Sequence, residues 1–319
     1  MPLTVMVELT WRCGAGCSFC YLGRTGRLNA RGPEMSAADL KAFMRRFPAG
    51  TRFYFSGGEP FTRKDILEIL AYASARGLNW GVNTNGLQLP LPKIKKLMAL
   101  RPAYVIFSLH GPAAAHDRLL GVKGAHEKVL AAIKSAARLK RPGTEIMTNC
   151  VISPANAALL PAVYLEAARA GADRAVFEHL QFLKEGEAPG LTGAELLTPR
   201  LRPRRLAVAA LERSLGRIKA LRGAFKTHFE LRPDFGRAEL ERYYNGTPRV
   251  SGGCPLLSTI NVEPDGRLRT CVLYSAPAGG TVRAFDRAGL LRAKRRLVKG
   301  GLPRGCARCC HRFSIERVF

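Results

Sequence analysis

At 319 residues, 47% of them hydrophobic, the chain is long enough for one large domain or a large plus a small one. No apolar run approaches the roughly 20 residues of a membrane span, and Met1-Pro-Leu-Thr-Val has neither the basic start nor the apolar segment of a secretory signal. The formal charge of +27 points to anionic surroundings (nucleic acid, a membrane surface met peripherally, or an acidic or phosphorylated substrate), although a solvated Arg-rich surface gives the same total.

From Leu3 to about residue 181, short apolar runs alternate with amphipathic stretches. The pattern predicts strands over Leu3–Leu9, Arg52–Ser56, Asn79–Thr84, Ala103–Leu109, Glu145–Ile152 and Arg174–Gln181. Between them it predicts helices over Ser36–Arg46, Arg63–Arg76, Leu91–Leu100, Ala125–Leu139 and Pro154–Ala170. Ser36 and Thr62 read as N-caps, and Gly77 and Gly171 as the glycines just past helix ends. Six strands alternating with helices imply an α/β fold, a parallel sheet with ligands gathering at the carboxyl ends of its strands.

Just behind the first strand lies Cys13-Gly-Ala-Gly-Cys17-Ser-Phe-Cys20, three cysteines at spacing C-x3-C-x2-C, with Gly14 and Gly16 letting the backbone curl. Thiolates held this way can ligate three irons of a [4Fe–4S] cube and leave the fourth iron without a protein ligand. A zinc loop is the alternative, but zinc sites pair C-x2-C with a second pair nearby, and the next cysteine is Cys150. Strand two is followed by Ser56-Gly57-Gly58-Glu59-Pro60 and strand three by Asn83-Thr84-Asn85-Gly86, while strand four closes on Ser108-Leu109-His110-Gly111. Each alone is a turn.

Together with the cysteine loop these segments resemble the radical S-adenosylmethionine (SAM) superfamily, whose cluster motif has this spacing and an aromatic, here Phe19, before the third cysteine. The resemblance implies an open (β/α)6 partial barrel of TIM type over residues 1–182. It also implies a [4Fe–4S] cluster on Cys13, Cys17 and Cys20, with SAM chelated at the open iron. SAM contacts are expected from Gly57, Gly58, Glu59, Asn83, Thr84, Ser108 and Asn149. Many relatives carry an Arg in an I-R-G segment; here the nearest match is Leu119-Leu120-Gly121, with Arg118 as the available substitute. The catalytic candidates are His110 as a proton donor, Cys150 as a hydrogen-atom donor, and Glu178 or His179 on strand six. A buried small hydrophobe is the competing reading of Cys150.

Residues 183–250 read as a linker and a basic amphipathic helix, with eight Lys/Arg and one Glu over Arg200–Arg222. Such a helix docks its apolar stripe on the core or lies on an anionic membrane. Further on, Pro264-Asp265-Gly266 between two alternating runs predicts a hairpin that brings Cys254 and Cys271 together, and Cys306-Ala-Arg-Cys309-Cys310 supplies a C-x2-C pair. Two plus two thiolates close a cluster or a zinc site. Here the sequence resembles the twitch form of the SPASM extension, implying an auxiliary-cluster domain over 251–319. The implied second [4Fe–4S] cluster sits on Cys254, Cys271, Cys306 and Cys309, with Cys310 the spare or substitute.

Nine cysteines without a secretory signal fit a reducing cytoplasm. The leading expectation is a SAM-cleaving oxidoreductase or tailoring enzyme. It abstracts hydrogen from an unactivated C–H of a small, anionic or phosphorylated molecule, passes the substrate electron to the auxiliary cluster, and is fed by a donor such as flavodoxin or ferredoxin. The alternatives are a SPASM-type maturase of ribosomal peptides, disfavoured because no winged-helix leader-binding region precedes residue 3, and an RNA-modifying enzyme or nucleic-acid binder, for which no RNA-binding motif is found.

Overall fold

The structure, a computed structural model, describes residues 3–24, 26–182, 207–221, 223–246, 255–271 and 277–299. Seven parallel strands form its centre: β1 (Thr4–Glu8), β2 (Arg52–Ser56), β3 (Asn79–Thr84), β4 (Tyr104–Ser108), β5 (Glu145–Ile152), β6 (Arg174–His179) and β7 (His228–Arg232). They lie in sequence order, and on the other side of β1 follow β8 (Thr259–Val262), β9 (Arg267–Arg269) and β10 (Pro277–Thr281). β8 runs parallel to β1, and β9 pairs antiparallel with β8 on one side and with β10 on the other. The two edges, β7 and β10, do not pair with each other, so the barrel stays open.

The helices are α1 (Tyr21–Arg24), α2 (Ala37–Met44), α3 (Ile66–Ala75), α4 (Leu91–Ala99), α5 (Ala113–Leu120), α6 (Ala125–Leu139), α7 (Leu160–Arg169), α8 (Val208–Ala220), α9 (Arg237–Tyr244) and α10 (Arg287–Lys299). None among the described residues is long and apolar enough to cross a membrane.

Alternation along each strand sorts the side chains. On β1, Val5 and Val7 join the main core beneath the helices, whereas Met6 and Glu8 face the barrel interior. The interior is filled low down by Tyr104, stacked on Tyr54 with centroids 6.5 Å apart. Gly81 sits beside Tyr104 in the register, and a Cβ there would lie 2.1 Å from its ring. Only glycine admits that aromatic floor.

The six predicted strands and five predicted helices are all present, β2, β3, β5 and α6 with the predicted bounds and the others with shorter ends, and the Pro264–Gly266 hairpin joins β8 to β9. Ser36 caps α2, accepting the Asp39 N–H at 3.1 Å, and Gly77 and Gly171 take positive φ past α3 and α7. Thr62 does not cap a helix. Its hydroxyl donates to the Glu59 carbonyl, and α3 starts after Asp65, because Pro60–Thr62 forms a separate 3-10 turn capped by Glu59. Among the described residues, α1, α5, α9, β7 and β10 were not predicted. α5 is short and opens on three alanines, and β7 belongs to a stretch whose turn residues hide it. β7 carries the alternation His228-Phe229-Glu230-Leu231-Arg232, with Phe229 and Leu231 in the core. The predicted linker falls largely on residues 183–206, outside the described residues, as do Cys254, Cys306, Cys309 and Cys310.

Candidate active site

The carboxyl ends of β1 to β6 surround a cavity of about 330 Å³. Cys13, Cys17 and Cys20 stand on one wall, and Ser108, Asn149 and Glu178 belong to the others. The cysteine loop is positioned by backbone rather than by side chains. Beyond the paired strands, the β1–β2 ladder continues: Gly58 N–H donates to Thr10 C=O at 2.7 Å and Glu59 N–H to Arg12 C=O at 2.8 Å, one residue short of Cys13. A Cβ on Gly57 would lie 2.4 Å from the Thr10 oxygen, and one on Gly58 2.4 Å from the Arg12 oxygen. The glycine pair, expected for close approach to a ligand, also permits close approach to the chain that presents the cysteines. From the other side, Gly16 and Ser18 N–H donate to Leu120 and Leu119 C=O at 2.9 and 3.0 Å. Leu119-Leu120 therefore buttresses the loop through its carbonyls, while Arg118 is exposed.

The donor set fits an iron–sulfur cluster. Among the described residues no three His, Cys, Asp or Glu side chains converge to hold a single metal ion, whereas a cluster asks for one sulfur per iron. Burial pushes the Cys17 thiol up to about 12 and raises the Cys13 thiol, so holding these two as thiolates calls for a cation beside them. Cys13 Sγ already receives Ala15 N–H at 3.4 Å and Asn85 Nδ2 at 3.5 Å, donors of the kind that tune cluster potentials. Neither Asn85 nor these contacts were legible beforehand, although Asn85 lies in the quoted Asn83–Gly86 segment.

Glu59 is fully buried. Its carboxylate accepts Thr84 Oγ1 at 2.9 Å, Asn85 N–H at 2.7 Å and Phe61 N–H at 3.1 Å, tying the end of β2 to the end of β3. Burial nonetheless lifts it to about 7 against those three donors. A carboxyl raised from 4.5 to about 7 stabilises the fold in its protonated form, and that contribution is lost as pH rises between those values. Glu59→Gln should flatten this part of the stability–pH curve. It should also cost about 1–3 kcal/mol, since its amide nitrogen faces a donor; urea midpoints from pH 4.5 to 8 check both.

The other expected residues are distributed as follows. Asn83 lines the cavity with a buried Oδ1 that has no partner, the feature expected of a wall awaiting a ligand N–H or O–H. Thr84 lines it too but spends its hydroxyl on Glu59. His110 accepts Val151 N–H on Nδ1 at 3.2 Å, which puts its proton on Nε2, and meets Phe19 edge-on at 4.8 Å. Burial lowers it to about 3. His179, also lowered to about 3 by burial, contacts Tyr244 Oη through Nδ1 at 2.6 Å within an aromatic cluster with Phe235 and Tyr243. Cys150 points into the core, its thiol pushed well up by burial and approached by Asn156 Nδ2 at 3.6 Å. Cys271 follows β9 at the end of the sheet opposite the cysteine loop, since Arg269 pairs with Asn261 and Asn261 with Met6.

Among the described residues, the cavity lining holds no Lys or Arg.

Residues 7–155 match the family model of the radical SAM superfamily. These residues form a radical SAM domain. Members of the superfamily use a [4Fe–4S] cluster and SAM, and the curated relatives are enzymes. The PqqA peptide cyclase of Granulibacter bethesdensis is 28% identical over 274 residues, covering 85% of this chain and 67% of the relative. That of Xanthomonas campestris pv. campestris is 29% identical over 277 residues with the same shares. Among solved structures, Streptococcus suis SuiB superposes with a TM-score of 0.63 at 16% identity, covering 85% of this radical SAM chain and 60% of SuiB. The AdoMet-bound anSMEcpe gives 0.67 at 17%, covering 94% and 80%. At these identities the likeness is one of fold, and the chain spans under two thirds of SuiB's length.

Proposed function

We propose that this radical SAM enzyme modifies a peptide, abstracting hydrogen from an unactivated C–H of a side chain. The observation that carries the reading is the three-cysteine wall held against Gly57-Gly58 at the mouth of an open barrel, in a chain whose curated relatives over 85% of its length are peptide cyclases. When bound, the cluster and SAM would supply the radical chemistry that removes a hydrogen atom from an unactivated C–H. Cys13, Cys17 and Cys20 would hold the irons, and Asn83 Oδ1 and Ser108, which line the cavity on β3 and β4, would accept from the cofactor's N–H and O–H groups. Phe19, Val151 and Leu180 supply an apolar wall that keeps water away. His110, with its proton on Nε2, is the neutral donor on that wall.

We further propose that Cys271, with Cys254, Cys306 and Cys309, holds an auxiliary cluster that accepts the substrate's electron, and that a flavodoxin or ferredoxin supplies the first one. Its support is the hairpin, which brings the flanks of β8 and β9 together. The experiment is deuterium transfer from side-chain-deuterated peptides into 5′-deoxyadenosine by reconstituted protein, with Cys13→Ala as the inactive control. Cys271→Ala should keep SAM cleavage and lose product. Deuterium transfer from small molecules alone would return the reading to the small-molecule class, and normal product from Cys271→Ala would remove the auxiliary site.

A further inference from the structure

Among the described residues two carboxylates line the cavity, Glu8 and Glu178, and they differ in how fully they are used. Glu8 is saturated: Tyr21 Oη donates at 2.6 Å, Trp11 Nε1 at 3.1 Å, and Arg269 Nη2 stands at 2.7 Å. Glu178, at the end of β6, is not. Its Oε2 accepts Asn149 Nδ2 at 3.0 Å, but Oε1 has only Arg232 Nη1 at 3.6 Å, too far for a good hydrogen bond.

Arg232 gives its Nε to Glu230, while its Nη2 is buried without a partner among the described residues and does not reach Glu178. The interior of β5, β6 and β7 carries a ladder of alternating charge: Glu145 to Arg174 at 2.7 Å, Arg174 to Glu230 at 3.0 Å, Glu230 to Arg232 at 2.7 Å, and last Glu178. Three carboxylates face two guanidinium groups, and the longest link is the one that ends in the cavity. Asn149, held by Glu178, presents a buried Oδ1 with no partner beside the same carboxylate. A buried acceptor left unmatched is costly, so the cluster is built for a donor. His110 and His179 on the same wall are neutral by burial and add no positive charge.

We infer that Glu178 and Asn149 receive a cationic substrate group, the ammonium or guanidinium of a lysine- or arginine-like side chain. The inference deepens the peptide reading and rests on it for the carrier of that group. It also reassigns Asn149, expected to contact SAM, to the substrate side. An ammonium offers three N–H donors, which match Glu178 Oε1, Asn149 Oδ1 and one further acceptor.

The test uses full-length protein, anaerobically reconstituted and loaded with SAM. Short peptide pools fixed at one position as Lys or as Glu are applied, with free cadaverine in parallel, to wild type, Glu178→Gln and Glu178→Asp. Because the surface carries +27 and holds acidic peptides unspecifically, the quantity read is the ratio of retention by wild type to retention by each variant. The Lys pool should be retained at least about tenfold better by wild type than by Glu178→Gln, the scale of a lost charge-assisted hydrogen bond, and Glu178→Asp should restore most of it. A ratio near one for both the Lys pool and cadaverine, or a Glu178-dependent preference for the Glu pool, overturns the inference. If cadaverine shows the dependence and no peptide pool does, cation recognition stands and the peptide reading falls.

Discussion

Gly58→Ala should cost the enzyme its iron rather than its fold. The added methyl would lie 2.4 Å from the Arg12 oxygen and 2.9 Å from two further backbone carbons, none of which can swing aside as a side-chain tip can. Relief requires the Thr10–Arg12 segment to move, and with it the two backbone hydrogen bonds at 2.7 and 2.8 Å that place Cys13. Overpacking of this kind costs about 1–3 kcal/mol, tolerable in a core of this size. A displacement of about 1 Å at a site that must hold reacting groups in register costs on the order of a hundredfold in rate. The expected outcome is a folded protein with low iron after reconstitution and SAM cleavage reduced about a hundredfold or more. Iron content, absorbance near the thiolate-to-iron bands and 5′-deoxyadenosine yield measure it, and wild-type iron uptake with normal cleavage would show that the glycine contact does not position the loop.

The second large effect is expected at Arg269, 3% exposed on β9, with Glu8 on β1 at 2.7 Å and Glu263 at 3.7 Å. Glu263 also meets Arg27 at 2.5 Å. This buried network, together with the backbone bond from Met35 N–H to Pro264 C=O at 2.7 Å, binds the hairpin to the segment carrying the cysteines. Arg269→Ala removes one partner and leaves Glu8 buried without its cation, a change that costs about 3–5 kcal/mol. Its pH dependence has a definite sign. Burial raises Glu8, but Arg269 and the Tyr21 and Trp11 hydrogen bonds outweigh it, so the net shift is downward. That stabilisation is present above 4.5 and is lost as pH falls through the lower folded value. Without Arg269 its largest lowering partner is gone and burial is opposed only by the Tyr21 and Trp11 hydrogen bonds, so Glu8 should move upward and the variant should lose less stability than wild type as pH falls. The gap between wild type and Arg269→Ala should therefore be widest near pH 7 and close towards pH 4. Denaturant titrations at several pH values measure it; a gap independent of pH would show that the pair is not the source of the loss.

The cavity bears on how the net charge is read. A total of +27 weighs every surface equally, whereas a ligand senses the few groups within reach. Among the described residues those lining groups include two glutamates and no lysine or arginine, with Arg269 and Arg232 standing behind the glutamates, so the total charge does not by itself describe the site.

What the sequence settled was local and periodic. The alternation of strands and helices, the glycines past helix ends, the C-x3-C-x2-C loop and the Pro-Asp-Gly hairpin each depend on residues close together in the chain, where spacing already fixes geometry. What only the tertiary structure decided joins residues far apart: Gly58 against Arg12, Glu59 against Thr84 and Asn85, Glu8 against Arg269, and the ladder from Glu145 through Arg174, Glu230 and Arg232 to Glu178. A glutamate at a strand end looks the same in one dimension whether its carboxylate clamps two loops, as at Glu59, is saturated by a distant arginine, as at Glu8, or is left open in a cavity, as at Glu178. The difference is burial and the identity of the facing strand, and both come into being only when the sheet closes around its interior.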